Sequence, residues 1–165
     1  MPANNELADY MASHLLTIRY AVLNTSELDA PQRELCHAAT EATSLSYSPY
    51  SNFKVGASAR LSGGTVIRAA NLENAAYPQC MCAEATLLGS AHTQYAGQAI
   101  ISMAIAVSDA EARSGVAAPC GSCRQQLYEW EQRQGQPIEL YLVSADEAVY
   151  RFDDIKSLLP FGFTL

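Results

Sequence analysis

The chain has 165 residues, of which 49% are hydrophobic and 16% are charged, and its formal net charge is -7 at pH 7. This length suits a single domain that can bury a core without disulfide bonds. The acidic balance argues against a nucleic acid partner, because phosphate binding requires clustered lysine and arginine. A small uncharged substrate fits this composition better.

The start of the chain and the cysteine count indicate a compartment. Residues 1–6 show no basic segment followed by an apolar core, so we expect no signal peptide. No apolar run approaches the roughly 20 residues that a membrane-spanning helix needs. The five cysteines favour metal ligands or free thiols over a disulfide framework. We therefore predict a cytoplasmic protein without membrane contact.

The first predicted elements are a strand and a helix. Residues 15–23 alternate in polarity and predict a strand. Its apolar side chains share one face: Leu16, Ile18, Tyr20 and Val22. Asp29 is placed to cap a helix that has Pro31 in its first turn. That helix is predicted to run to about Ser44 and to bury one face, made of Leu35, Ala38, Ala39 and Ala42.

The rest of the chain predicts a mixed sheet with helices. Residues 46–52 predict an ordered loop, and the Ser62-Gly63-Gly64 turn predicts a hairpin between strands at 54–61 and 65–71. The later elements are helices at 82–91 and 120–133, strands at 100–108, 138–143 and 148–152, and a short terminal helix at 153–158. Two strands followed by alternating helix and strand predict one α/β domain with helices on the faces of its sheet.

Two cysteine segments carry the strongest chemical signal. Cys82 precedes one predicted helix, while Cys120 and Cys123 begin another, one helical turn apart. Helix N-termini expose unpaired N–H groups, which lower the pKa of thiols and stabilise thiolates. Three thiolates suit Zn²⁺, and a three-ligand set leaves the fourth position open, as catalytic sites do. Glu84, two residues after Cys82, is close enough to move protons there.

Simpler interpretations of these residues stay open. A C-x-x-C pair also occurs in redox and structural zinc motifs. Cys36 or Cys80 could in principle supply a fourth ligand and close the site, although Cys80 would have to converge with Cys82 from two residues away. We expect Cys36 and Cys80 to be small buried residues instead. Ordinary surface or core roles are expected for the histidines, which show no ligand spacing: His14, His37 and His92.

The pattern Cys82-Ala83-Glu84, followed by Pro119-Cys120 and Cys123, matches the three-cysteine form of the zinc deaminase signature. The chain resembles the cytidine deaminase family in further segments, in the right order. The resemblance runs from about Leu35 to the C-terminus and is carried by residues 47–57, 71–78, 119–125 and 158–163. The short chain is similar to the homotetrameric branch of that family.

The resemblance implies a three-layer α-β-α fold with a mixed central sheet. It divides the chain into an N-terminal extension at 1–30, with a strand and a turn, and a catalytic domain at 31–165. It implies one Zn²⁺ per subunit, held by Cys82, Cys120 and Cys123, that activates water for attack on C4 of the pyrimidine. Glu84 would carry protons from that water to N3 and to the departing ammonia. The products would be uridine or 2′-deoxyuridine, in pyrimidine salvage.

The resemblance also implies the contacts of a nucleoside. Asn71 and Glu73 are expected to bind the ribose hydroxyls, and alternation along a strand places both on one face. Phe53 is expected to pack against the nucleoside, and the backbone N–H of Ala83 to bind the pyrimidine O2. In the homotetramers, Tyr77 and Phe163 correspond to positions that line a neighbouring subunit's pocket.

One position departs from the family pattern. Many tetrameric relatives have arginine directly after the Cys-Ala-Glu triplet, where this chain has Ala85. Three thiolates around Zn²⁺ carry a formal charge of minus one, and electron-rich sulfur weakens the metal's effect on water. Our hypothesis is that Arg124 and the two helix N-termini offset this charge, with a roomier pocket near the metal.

Competing functions have weaker support from the sequence. The nearest is an aminohydrolase of the same fold that acts on a modified cytosine nucleoside, such as an N4-substituted or blasticidin-like one. An RNA- or DNA-editing deaminase is disfavoured by the net charge and by the lack of a basic, aromatic-rich channel. A structural zinc module or a non-catalytic relative would leave the open ligand set and Glu84 unexplained.

Overall fold

The computed structural model describes residues 15–108, 116–146 and 148–165. The strands and helices in these ranges alternate along most of the chain. They are β1 (Ala21–Asn24), α1 (Ala30–Ala42), β2 (Lys54–Leu61), β3 (Val66–Ala70), α2 (Ala83–Gln94), β4 (Ile100–Ser108), α3 (Gly121–Gln134), β5 (Glu139–Val143) and β6 (Ala148–Phe152). Within these residues, no helix has both the length and the apolar composition needed to cross a membrane.

The strands form one mixed sheet in the order β1-β6-β5-β4-β2-β3. β4 and β5 are parallel, with Ala104 opposite Tyr141, and the other neighbouring strands are antiparallel. Helix α1 packs on one face, whereas α2 and α3 pack on the other. This arrangement confirms the predicted α/β fold with a mixed central sheet between two helical layers.

Alternating side chains of the central strand β4 divide the core between the two faces. Met103 and Ile105 join the larger cluster beneath α2 and α3, whereas Ala104 and Ala106 join the cluster beneath α1. Small residues let α1 approach the sheet closely on its own face. A Cβ atom added at Gly56 would lie 2.1 Å from the carbonyl oxygen of Ala39, so no larger residue fits there.

Helix α1 forms as the sequence predicts. The Asp29 side chain accepts a hydrogen bond from the Gln32 N–H at 2.8 Å, and the Gln32 side chain accepts one from the Asp29 N–H. Pro31 lies in the first turn. The predicted inner face is fully buried, with Leu35, Ala38, Ala39 and Ala42 at most 8% exposed. The helix ends at Ala42 and continues as a 3₁₀ turn over Thr43–Leu45.

Two predicted elements are shorter than expected. The first strand covers only Ala21–Asn24, the four residues that pair with β6 between Arg151 and Ala148. Residues 15–20 are therefore not paired with β6, and all four apolar side chains of the predicted face are exposed. The predicted terminal helix is a single 3₁₀ turn at Lys156–Leu158. Asp154 binds both the N–H and the hydroxyl of Ser157, which favours this short turn.

Candidate active site

The N-termini of α2 and α3 meet at the three predicted cysteines. Cys82 is the N-cap residue of α2, Cys120 is the N-cap residue of α3, and Cys123 lies in the first turn of α3. The three sulfur atoms all lie within 4.8 Å of one another, and those of Cys82 and Cys120 are 3.9 Å apart. The two helix starts therefore bring the thiols together without any contribution from a long loop.

This donor set fits a zinc ion. Tetrahedral Zn–S bonds of about 2.3 Å place neighbouring sulfurs about 3.8 Å apart, close to the observed spacing. The other two cysteines lie outside the cluster. Cys36 lies on the buried face of α1, where burial raises the pKa of its thiol to about 12. Cys80 is exposed and lines the pocket wall, so the prediction that it is a buried residue is wrong. The structure thus groups three thiols rather than four.

The electrostatics of the cluster favour a bound cation. Burial acts against ionisation of Cys120, but hydrogen bonds from Cys123 and the Ser122 N–H outweigh it and lower the pKa of Cys120. Burial and the charge of Glu84 instead raise the pKa of Cys123. The pKa of Cys82 is also raised, chiefly because of burial. A bound metal ion would favour the thiolate form of all three residues.

Glu84 is a buried carboxyl beside the thiols. It lies in the first turn of α2 and is 5% exposed, among otherwise apolar neighbours of the helix. Burial raises its pKa above the ordinary value for glutamate. A carboxyl group that is kept from bulk water and aimed into a pocket is suited to proton transfer.

A pocket of about 270 Å³ opens above these residues. Most of its wall is apolar and comes from Val55, Leu72, Met81 and Ile105, together with Ala117 and Ala118 of the segment before α3. Most of the residues predicted for the site line it: Phe53, Asn71, Glu73, Cys82, Ala83, Glu84 and Cys120. The thiols and Glu84 come from the starts of α2 and α3, whereas Asn71 and Glu73 lie in the segment after β3. The prediction that Asn71 and Glu73 share one face of a strand is wrong, because β3 ends at Ala70.

The Asn71 side chain joins two segments of the pocket wall. Its Oδ1 accepts hydrogen bonds from the Val55 N–H at 2.8 Å and the Ser46 hydroxyl at 2.6 Å, and its Nδ2 donates to the Phe53 carbonyl. These contacts leave one amide hydrogen of Asn71 free for a ligand. Asn71 therefore fixes the position of Phe53 as well as facing the pocket.

Glu73 is fixed by the loop at 46–52. Its carboxylate accepts hydrogen bonds from the Tyr50 N–H at 2.9 Å, from the Ser51 N–H at 3.3 Å and from the Ser51 hydroxyl. The Ser51 hydroxyl and the Tyr50 N–H lower the pKa of Glu73, which keeps it ionised. An ionised carboxylate with spare lone pairs is an acceptor for sugar hydroxyl groups.

Tyr77 and Phe163 lie outside this pocket. Tyr77 is 70% exposed and makes an edge-on contact with Tyr50, with ring centroids 6.0 Å apart. Phe163 is 64% exposed, and its carbonyl accepts a hydrogen bond from the side chain of Gln125 on α3. Both rings are therefore held at the surface rather than packed in the chain's own core.

Arg124 follows the last cysteine of the cluster. Its Nε donates to the Pro119 carbonyl at 2.8 Å, and its Nη1 donates to the Leu158 carbonyl at 3.1 Å. The guanidinium thus connects the loop before α3 with the C-terminal segment.

The sequence reasoning missed the residues that orient the predicted contacts. Ser46 and Ser51 hold Asn71 and Glu73, and Met81 and Leu72 form part of the pocket wall. The serines lie in the loop at 46–52, more than 20 residues before their partners. No local spacing rule connects them to their partners, and the family resemblance at 47–57 covers Ser51 but not Ser46.

Residues 30–134 match the family model described as the cytidine and deoxycytidylate deaminase zinc-binding region. The chain belongs to the cytidine and deoxycytidylate deaminase family. Cytidine deaminase of Halalkalibacterium halodurans is 39% identical over 138 residues, which cover 79% of this chain and 92% of that protein. The alignment with Mycobacterium tuberculosis cytidine deaminase is 36% identical and covers 55% of this chain, but only 65% of that relative's length.

Solved cytidine deaminase structures share the fold. The Burkholderia pseudomallei enzyme superposes with a TM-score of 0.67 at 37% identity, over 79% of this chain and 97% of its own. The Mycobacterium tuberculosis enzyme gives a TM-score of 0.64 at 29% identity, over 83% and 100%. These matches confirm the predicted family, its zinc cofactor and the α/β fold. They do not favour a modified nucleoside as substrate.

Proposed function

We propose that this chain catalyses zinc-dependent hydrolytic deamination of cytidine and 2′-deoxycytidine, giving uridine or 2′-deoxyuridine and ammonia. The observation that carries the proposal is the position of Glu84, a buried carboxyl beside three clustered thiols in a pocket of nucleoside-compatible size. A structural zinc site needs neither a three-ligand set nor a proton carrier.

Cys82, Cys120 and Cys123 would hold the metal, which supplies, when bound, a Lewis acid that makes water nucleophilic at neutral pH. Glu84 accepts the proton of the attacking water as the C4–O bond forms and delivers it to N3. It then takes the second proton from the new C4 hydroxyl and passes it to the exocyclic nitrogen as the C4–N4 bond breaks, so that the C4 carbonyl forms and ammonia leaves. The apolar walls exclude bulk water from this proton path.

Other residues of the pocket are proposed to select a nucleoside. The Ala83 N–H, in the first turn of α2 between Cys82 and Glu84, has no acceptor within the helix, and we propose that it binds the pyrimidine O2. Phe53 contributes an aromatic surface, and Asn71 and Glu73 are proposed to bind the ribose 3′-OH above all. Since Glu73 is kept ionised by its loop, a sugar hydroxyl can donate to it directly.

We further propose a homotetramer in which each pocket is completed by a neighbouring subunit. The support is the surface position of Tyr77 and Phe163, two large rings that add nothing to the chain's own pocket. Exposed aromatic side chains on fixed backbone are typical of interface residues. Size measurement by light scattering, compared between wild type and Phe163→Ala, tests the assembly, and a monomer with full activity contradicts it.

The remaining expectations belong to the same proposal. The division into an extension at 1–30 and a catalytic domain at 31–165 is supported by the family match, which begins at residue 30. A cytoplasmic location and a place in pyrimidine salvage follow from the substrate we propose and stay predictions.

A substrate panel with the zinc-loaded protein tests the activity. It contains cytidine, 2′-deoxycytidine, N4-substituted analogues and a cytosine-containing oligonucleotide. Turnover of each compound is measured by loss of absorbance and by release of ammonia. We expect turnover of the first two and one equivalent of zinc per chain. One equivalent of zinc with no turnover of any cytosine compound contradicts the proposal and supports a binding or structural role.

A further inference from the structure

A closed loop connects the proposed sugar site to the metal cluster. Leu72 and Met81 exchange two backbone hydrogen bonds of 2.9 Å, so the ends of the segment between them lie together. Glu73 is the first residue inside this 72–81 loop, and Cys82 follows its last residue directly. The conformation of the loop therefore controls how Glu73 is placed relative to the metal ligands.

Cys80 makes the contacts that cross the interior of the 72–81 loop. Its Sγ accepts a hydrogen bond from the Asn74 N–H at 3.3 Å and lies 3.6 Å from the Asn74 carbonyl, to which the thiol donates. Asn74 is the residue directly after Glu73. A single side chain thus satisfies both backbone groups of Asn74, although that side chain lies outside the thiol cluster.

We propose that Cys80 is a positioning residue for nucleoside binding: its thiol fixes Asn74 and so holds Glu73 in place for the sugar hydroxyls. The inference rests on the proposed function, because it assumes that Glu73 contacts the ribose. Cys80 and Glu73 both line the pocket wall. Its role is thus to set the geometry of a contact that another residue makes.

Substitutions at Cys80 separate this role from packing. Alanine removes both contacts with Asn74, whereas serine keeps a donor and an acceptor on a shorter arm. If Cys80 acts through Glu73, loss of the Cys80 thiol weakens the binding of ligands that carry sugar hydroxyls and leaves the binding of ligands that lack them unchanged. A general loosening of the pocket would weaken both kinds of ligand equally.

The experiment measures dissociation constants by NMR titration for uridine and 2′,3′-dideoxyuridine, with zinc-loaded wild type, Cys80→Ala and Cys80→Ser. We expect Cys80→Ala to weaken the binding of uridine by about tenfold and the binding of dideoxyuridine by less than about twofold, which is the pattern of a lost hydroxyl contact. Cys80→Ser should recover part of the uridine affinity. Zinc content should stay at one equivalent, and Cys36→Ala, a thiol removed beneath α1, should leave both constants unchanged.

Turnover gives a second readout. For cytidine, Cys80→Ala should raise KM by about tenfold and change kcat by less than about threefold, as expected when ground-state and transition-state binding are lost together. An equal loss of binding affinity for uridine and dideoxyuridine, or no loss of affinity for either, contradicts the positioning role. If wild type binds uridine but does not deaminate cytidine, the proposed function fails, while the binding comparison still decides the role of Cys80.

Discussion

The two ends of the pocket are built in different ways. At the metal end, Cys82 and Cys120 are N-cap residues, and Glu84 and Cys123 lie in the first turns of the same two helices. Their positions follow from helix geometry alone once the two helix starts meet. At the sugar end, Asn71 and Glu73 depend on hydrogen bonds from a loop more than 20 residues earlier in the chain.

This difference separates chemistry from selectivity. Residues fixed by a helix start have few alternative positions, which suits a metal cluster that tolerates little displacement. Residues fixed by loop-to-loop hydrogen bonds can be repositioned by a change in a distant partner. We therefore expect substitutions at the metal end to affect kcat, and substitutions at the sugar end to affect KM and stability.

The largest effect is expected from the metal end. Cys120→Ala removes one of three ligands and should abolish stoichiometric zinc binding, lowering activity by more than about 10⁴-fold, beyond what proton transfer alone supplies. Metal analysis and ammonia release measure the two effects. Cys36→Ala is the matched control and should keep its zinc. Retention of one tightly bound zinc by Cys120→Ala would show that the cluster is not the metal site.

Glu84→Gln tests proton transfer separately from metal binding. The amide has nearly the same shape but cannot accept a proton, so kcat should fall by about 10²–10⁴-fold while zinc content stays at one equivalent. Glu129→Gln, on the exposed side of α3, is the control, and its kcat and zinc content should equal those of wild type. A kcat within about threefold of wild type would exclude Glu84 as the proton carrier and support a non-catalytic relative.

The same comparison explains what could be predicted from sequence. The cap of α1, the Cys120–Cys123 pair and the nearness of Glu84 to Cys82 follow from spacing rules that operate within one helical turn. The grouping of Cys82 with the other two cysteines, which belong to a different helix, came from the family resemblance instead. The length of β1 depends on which residues pair with β6, and no local pattern reveals this pairing. The orientation of Asn71 and Glu73 depended on Ser46 and Ser51, whose hydrogen bonds form only after the sheet brings the segments together.

Asn71→Ala should damage the sugar end more broadly than a single ligand contact. It removes three hydrogen bonds that join two segments of the wall, so we expect unfolding free energy to fall by about 1–3 kcal/mol. KM for cytidine should rise by about tenfold as Phe53 loses its anchor. Chemical denaturation and steady-state kinetics measure these changes. Asn71→Asp keeps the acceptor oxygen and should lose less stability; equal losses would show that the Oδ1 contacts contribute little.

The smallest effect concerns Arg124, which follows Cys123 in the first turns of α3. Its guanidinium binds the Pro119 and Leu158 carbonyls, so its charge is held beside the α3 start rather than directed to solvent. If this charge replaces the arginine that many relatives carry at the position of Ala85, Arg124→Ala should lower the deamination rate between about twofold and tenfold, roughly 0.4–1.4 kcal/mol. Ala85→Arg in that background should restore part of the rate, since it returns a positive charge next to the thiolates. Deamination rates measured across pH with both variants test this role. If each variant changes the rate by less than about twofold, the two helix N-termini alone offset the negative charge of the thiolates. Arg124 would then serve only to hold the C-terminal segment.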